Sequence, residues 1–240
     1  MPTKECTLPS ATNNGSGRTD AAGEACAVPA APGPAGYVLP ELPYSYADLE
    51  PIVDAHTMEL HHDRHHRGYV DNLNKLLAPH PGWQGLAIGE LLSRAGELPL
   101  DIRAGVLNNG GGHANHSLFW QSLAPAKAAA PSRELARLLT RDFGSVDRFM
   151  VAFEAAGLAL FGSGWVALAA DPADGMHLSI TTLANQATTF AARRTVLFQC
   201  DVWEHAYYLH YENRRAEWLH AFWEIVDWPG ASRRLGESAG

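Results

Sequence analysis

The sequence predicts an α+β fold, in which a helical half precedes an α/β half built on a small three-stranded antiparallel sheet. Three observations carry this. Stretches with helical spacing of apolar residues dominate the ordered chain as far as residue 121. Two strand-like runs, GWVALAA and MHLSITTL, flank the turn sequence DPADG. A third, TVLFQCDVW, comes next, and the chain then returns to helix-like sequence.

The elements follow in order. Residues 1–36 contain no aromatic residue and only Met1, Leu8 and Val28 as larger aliphatics, so they read as a flexible tail that cannot offset its ordering entropy. From Tyr37 the prolyl stretch LPELPYSY is extended. Ser45 or Asp48 then caps a long helix through ADLEPIVDAHTMELHHDRHHRGYVDNLNKLL, with an interruption expected near Pro51. Pro79, Pro81 and Gly82 stop it, and helical stretches follow at 86–97 and 101–121. The second of these contains Gly110, Gly111 and Gly112, a costly run inside a helix that points to close approach by another group, whether at a packing crossover or beside a metal site. Ala124 to Pro131 reads as a linker. SRELARLLTRDFGSVDRFMVAFEAAGLALF reads as two amphipathic helices broken at Gly144-Ser145. After the strands, WEHAYYLHYENRRAEWLHAFWEIVDW is helix-like. The expected division is a tail over 1–36, a helical domain over 37–125, an α+β domain over 126–230 and a second tail over 231–240.

Composition narrows the function. No apolar run reaches the roughly eighteen residues a membrane span needs, and the first twenty residues lack the basic-then-apolar order of a secretory signal. Cys6, Cys26 and Cys200 are too few and too scattered for a disulfide framework or a zinc cage, so a reducing cytoplasm is expected. A formal charge of −8 argues against nucleic-acid binding. It also means that an anionic substrate would have to be drawn in by local charge.

Histidine is the unusual residue: there are twelve, clustered as HHDRHH at 61–66, HANH at 113–116 and His205 within DVWEHAYY. His61, His65 and Tyr69 are spaced by four, a step of about 40° around a helix, so they share one face. His62 and His66 fall on the neighbouring stripe. Asp201 and His205 are also four apart and can serve one ion. His113 and His116 offer a further imidazole from a separate helix. Nitrogen donors with one carboxylate suit a mononuclear iron, manganese or zinc site. A histidine-rich surface patch is the competing reading of HHDRHH. His56, His80, His177, His210 and His220 have no partner at helical spacing and read as solvated or core histidines.

The strings LPELPYSYADLEP, TMELHHDRHHRGYV, NNGGGHANHSLFW, FGSGWVAL, ANQ and DVWEHAYYLHYENRR together resemble the iron/manganese superoxide dismutase family, in order from Tyr37 to Trp228. The resemblance implies an N-terminal α-helical hairpin domain and a C-terminal α/β domain. It implies His61, His116, Asp201 and His205 as metal ligands, with solvent as the fifth, and moves His113 away from the ion. It implies disproportionation of superoxide, with each electron gained by the ion matched by a proton so that the charge in a low-dielectric pocket stays constant. Gln186 resembles the glutamine that bonds the metal-bound solvent. Glycine at 112, where iron-type members bring in a glutamine, together with Gln186 is the manganese-type pattern. Manganese is therefore expected, with iron as the other ion, one per subunit.

By the same resemblance, His65 and Tyr69 gate the substrate funnel, Arg64 and Arg214 stand near its mouth, and Trp120, Trp165 and Trp203 wall the site. Glu204 would orient His205 of a second subunit and Tyr208 would meet its His65, giving a homodimer with no nucleic-acid or membrane partner. Two features depart from the family pattern: Ala167 stands where many members have tryptophan, and ANQATTFAARRTVLFQCD lacks the usual prolines and glycines. A non-haem iron oxygenase, a zinc hydrolase and a non-enzymatic metal-binding homologue are the alternatives. The first commonly uses three ligands where four are implied here, and no HExxH motif supports the second. Complete retention of the implied ligands weighs against the third.

Overall fold

The computed structural model describes residues 36–125 and 130–238, so the tail expected over 1–36 lies, except for Gly36, outside the described residues. The first helical segment is interrupted, as Pro51 suggests. Ser45 and Asp48 cap only a single 3-10 turn, Tyr46–Leu49, with the Ser45 amide donating to the Asp48 carboxylate at 2.7 Å. The helix that carries the histidines starts after the cis Glu50–Pro51 peptide, and its cap is Asp54, which accepts from the Thr57 amide at 2.8 Å. The cap expected at Ser45 or Asp48 is thereby corrected: the chain cannot run helically through Pro51, so a new N-terminus with its own acceptor is needed.

That helix has three parts: α1 (Ala55–Leu60), a π turn over His61–His66, and α2 (Arg67–Leu77). α3 (Ile88–Ser93) and a 3-10 turn at Ala95–Glu97 lead into α4 (Leu100–Gln121). Leu73, Leu77, Ile88, Leu91 and Val106 form the buried core shared by α2, α3 and α4.

Ser132 caps α5 (Arg133–Phe143), which ends at Gly144 with φ 88°; Ser145 then caps α6 (Val146–Ala159), the break expected from the sequence. β1 (Gly164–Asp171), β2 (His177–Ala184) and β3 (Thr195–Asp201) form an antiparallel sheet in the order β2-β1-β3. β1 is central and fully buried to Ala170, and its register places Trp165 opposite both Leu183 and Asp201. α7 (Tyr208–Tyr211), α8 (Arg215–Ala221) and α9 (Trp228–Ser238) complete the chain. Phe149, Phe153, Phe198 and Phe222 fill a second core beneath the sheet.

The second tail, expected over 231–240, is corrected as far as Ser238. α9 buries Ala231 and Leu235, and Arg234 donates from Nε to the Leu197 carbonyl at 2.6 Å. Small residues and arginines conceal this packing in the sequence, because only one narrow stripe of the helix faces inward. The two halves are stitched by a Leu123–Val226 bridge and by Gln199, whose side chain donates to the Asn115 carbonyl at 2.8 Å.

Candidate metal centre

Four side chains meet where the halves join. His61 comes from the start of the π turn, His116 from α4, Asp201 from the end of β3, and His205 from the 3-10 turn Glu204–Ala206. One donor atom from each lies within 4.8 Å of every other. Asp201 Oδ2 stands 3.2 Å from His61 Nε2, 3.3 Å from His205 Nε2 and 3.9 Å from His116 Nε2. These are head-on approaches, and among the described residues none of the four atoms has a properly directed hydrogen-bond partner. Buried polar atoms left in this way are costly. Four of them aimed at a common point are a fit for a cation with three nitrogen donors and one oxygen donor.

Two further polar atoms of this set, His116 Nδ1 and Asp201 Oδ1, are tied down by the backbone. His116 Nδ1 donates to the Gly112 carbonyl at 2.7 Å, which leaves the lone pair of Nε2 facing the centre. Asp201 Oδ1 accepts from the Trp203 amide at 2.8 Å. The His205 ring is sandwiched between His65, at 4.3 Å between centroids, and Trp203, at 5.5 Å. Burial pushes the His61 imidazole down to about 4 against the opposing pull of Asp201, and burial likewise pushes His116 well below its ordinary value. Burial opposes ionisation of Asp201, but the close approach of the His205 and His61 rings outweighs it and holds the carboxyl below its usual range. Neutral imidazoles and an ionised carboxylate are the forms that bind metals.

Gln186 lies beside this set, held at three points. Its Oε1 accepts from Asn115 Nδ2 at 3.2 Å and from the Trp165 indole at 3.1 Å, and its Nε2 donates to the Tyr69 hydroxyl at 3.0 Å. The amide cannot flip, because its oxygen faces two donors. Burial raises the pKa of the Tyr69 phenol, partly offset by the bond from Gln186, so it stays protonated at neutral pH.

This arrangement explains the glycine run. A Cβ on Gly111 would come within 2.1 Å of the Gln186 carbonyl oxygen, and one on Gly112 would come within 2.5 Å of the Tyr69 ring. Gln186 and Tyr69 lean directly on the α4 backbone. Both reasons the sequence left open are realised: Gly110 packs against Leu92, Ile88 and Leu73 where the helices cross, and Gly111 and Gly112 make room for Gln186 and Tyr69.

Of the residues singled out from the sequence, His61, His116, Asp201 and His205 converge, with His65, Tyr69, Gln186, Trp120, Trp165 and Trp203 packed around them. His62 is not among them: it bonds to Asp63 and to the Pro40 carbonyl. Nor are His66 and His113, which pair with each other at 2.8 Å. Arg64, Glu204 and Tyr208 are exposed, and Arg214 forms ion pairs with Glu212 and Glu217. Ala167 is buried at the middle of β1, and the 187–194 loop contains a short turn at Phe190–Ala192. Sequence reasoning missed Asn115, the residue that turns Gln186; its partner lies 71 positions away and no spacing pattern signals it.

A helical hairpin docked on a small sheet, with three imidazoles and one carboxylate at the seam, is the architecture of a mononuclear metal enzyme. Two family models match. "Iron/manganese superoxide dismutases, alpha-hairpin domain" covers residues 36–124, and "Iron/manganese superoxide dismutases, C-terminal domain" covers residues 131–234. The chain is 44% identical over 199 residues to a protein of Listeria monocytogenes named superoxide dismutase (Mn), covering 83% of this chain and 97% of the relative. It is 43% identical over 202 residues to superoxide dismutase (Mn) 1 of Leptolyngbya boryana, covering 83% of this chain and 81% of the relative. The chain belongs to the iron/manganese superoxide dismutase family.

Proposed function

We propose that His61, His116, Asp201 and His205 hold one manganese or iron ion, and that there this enzyme disproportionates superoxide to oxygen and hydrogen peroxide. The observation that carries the assignment is the set of four buried donor atoms, each without a directed partner among the described residues, facing one point. The ion, when bound, supplies one-electron chemistry, alternately accepting an electron from superoxide and returning one. The protein supplies the rest. One carboxylate against a divalent or trivalent ion leaves the site positive, which attracts an anion locally despite the formal charge of −8. Gln186 is oriented by Asn115 and Trp165, and one of its amide hydrogens is committed to Tyr69. The Tyr69 hydroxyl accepts that hydrogen bond and keeps its own proton available for the developing peroxide. Trp120 and Trp165 are fully buried against the ligand rings and keep bulk water from the centre.

Manganese is the favoured ion. Gly112 has no room for a side chain, so the glutamine at this centre comes from residue 186 of the C-terminal half. The relatives compared carry Mn in their names.

A second copy of the chain completes the site in this reading. His65, Glu204 and Tyr208 are exposed on the face beside His205. Arg215 ties the Leu160–Gly162 turn to Tyr207 there, and this turn presents Phe161 at 99% exposure, a surface that suits burial against a partner. The cytoplasm is the proposed compartment. Among the described residues, Cys200 is buried with no disulfide partner, and no helix is long and apolar enough to cross a membrane.

The test is to strip the chain of metal, reload it separately with manganese and with iron, and follow superoxide decay alongside metal content. Removal of superoxide by the manganese form at one ion per chain is expected. Stoichiometric loading with no activity for either ion would leave only a metal-binding homologue.

A further inference from the structure

His66 and His113 are buried behind the centre, and neither contributes a donor to the converging set. Their rings are linked Nε2 to Nδ1 at 2.8 Å, and the Trp120 indole approaches His66 Nδ1 at 2.9 Å. An indole nitrogen can only donate. His66 Nδ1 is therefore the acceptor, and the His66 proton sits on Nε2, aimed at His113. His113 Nδ1 must then be bare, with its own proton on Nε2. Reversing any member brings two hydrogens or two lone pairs face to face, so the three rings admit one proton arrangement.

The chain of rings packs on two of the proposed ligands. The Trp120 ring meets His61 edge-on at 4.8 Å between centroids. His66 stacks on His116 at 5.4 Å with 25° between the planes. The outer end is wedged as well, since the His113 ring lies 5.6 Å from that of Tyr37. An apolar side chain at 66 or 113 would fill the space but could slide or rotate. Directed hydrogen bonds fix ring angle as well as position.

We infer that the Trp120–His66–His113 chain is a positioning device: its single proton arrangement locks the His66 and Trp120 rings, and these set the ring planes of His116 and His61. The inference rests on the ligand assignment proposed above. His66 and His113 are positioning residues, since they reach the centre only through other rings.

The test uses the full-length chain with nitrogen-15 in its histidines, loaded with diamagnetic zinc near neutral pH. Long-range proton–nitrogen correlation spectra report which ring nitrogen carries each proton. His66 and His113 are both expected as single tautomers protonated on Nε2. A proton on His66 Nδ1, a mixture of tautomers, or a doubly protonated ring at either position overturns the inference. Two variants supply the second arm. His113→Asn keeps an acceptor where Nδ1 stands, whereas His113→Leu removes it. The asparagine variant is expected to keep the visible absorption band of the manganese-loaded protein, while the leucine variant shifts the band and binds zinc about tenfold more weakly. Identical behaviour of the two variants overturns the positioning role. A wild-type chain with the stated tautomers that takes up no zinc refutes the ligand assignment and the inference together. Zinc uptake with other tautomers refutes the inference alone.

Discussion

At the residue scale, the centre depends on which ring nitrogen carries a proton. His116 gives its Nδ1 hydrogen to Gly112 and so must turn its lone pair inward. The buried histidines around it favour the neutral form, and this links stability to pH. Burial lowers His113 from 6.5 to about 4, so in the folded state it binds fewer protons than in the unfolded state between those values. Its contribution is complete above pH 6.5 and is lost as pH falls through the folded value. Acidification across that window should remove about 3 kcal/mol of metal-free stability through this residue alone. Urea unfolding at several pH values checks it: His113→Asn should show a correspondingly shallower dependence on pH than the wild type, and equal slopes would contradict the assignment. Gln186→Ala removes the amide that joins Tyr69 to Asn115 and Trp165. A folded, metallated protein with superoxide removal reduced about 10–100-fold is expected, from assays normalised to metal content. At this scale the spacing of His61, His65 and Tyr69 was legible in the sequence. Asn115 was not, because its effect depends on a contact across the seam between halves.

At the element scale, the HHDRHH run forms a π turn, which fits one more residue into a turn than an α-helix does. His61 still reaches the centre, and His66 faces Trp120 and His113 instead. The spacing argument placed the right residues on one face without revealing the widened turn. The glycines of α4 are an element-scale feature too, since they let a loop carbonyl and a phenol ring lie on a helix backbone. Gly111→Ala should displace the Gln186 segment, costing about 1–3 kcal/mol in thermal or denaturant unfolding along with activity. Gly68, on α2, has nothing within 4 Å of the Cβ position. Gly68→Ala should therefore stabilise the protein by about 0.5–1 kcal/mol through backbone entropy. If the two substitutions behaved alike, close packing would not be what requires glycine at 111. The helix boundaries show where local reading stops. Gly144-Ser145 was legible because the break and the new cap are adjacent in sequence, whereas α9 was not, because what holds it is burial of Ala231, Arg234 and Leu235 against other elements.

At the scale of the whole molecule, the centre sits between two cores, one within the helical half and one beneath the sheet. Neither half alone carries the donor set, since His61 and His116 come from one and Asp201 and His205 from the other. Loading with metal should therefore raise the unfolding temperature of the entire chain, because the ion binds only the docked state. The proposed dimer makes a further claim at this scale. Glu204→Ala should leave a folded chain that dissociates at concentrations where the wild type is dimeric by sedimentation, with lower metal content and activity. A variant that stays a fully active, fully metallated dimer would remove Glu204 from that role.

The sequence by itself determined the α+β order of elements, the break between α5 and α6, the three strands, and a cluster of histidines with one carboxylate suited to a metal. These are properties of local spacing, turn chemistry and residue type, and they survive without a partner. The tertiary structure decided which imidazoles converge and which pair with each other, why α4 must carry glycine at 111 and 112, and how Gln186 is turned toward Tyr69. Those outcomes depend on the docking of two halves, where a contact spanning 71 or 117 residues is set by packing that no local pattern encodes.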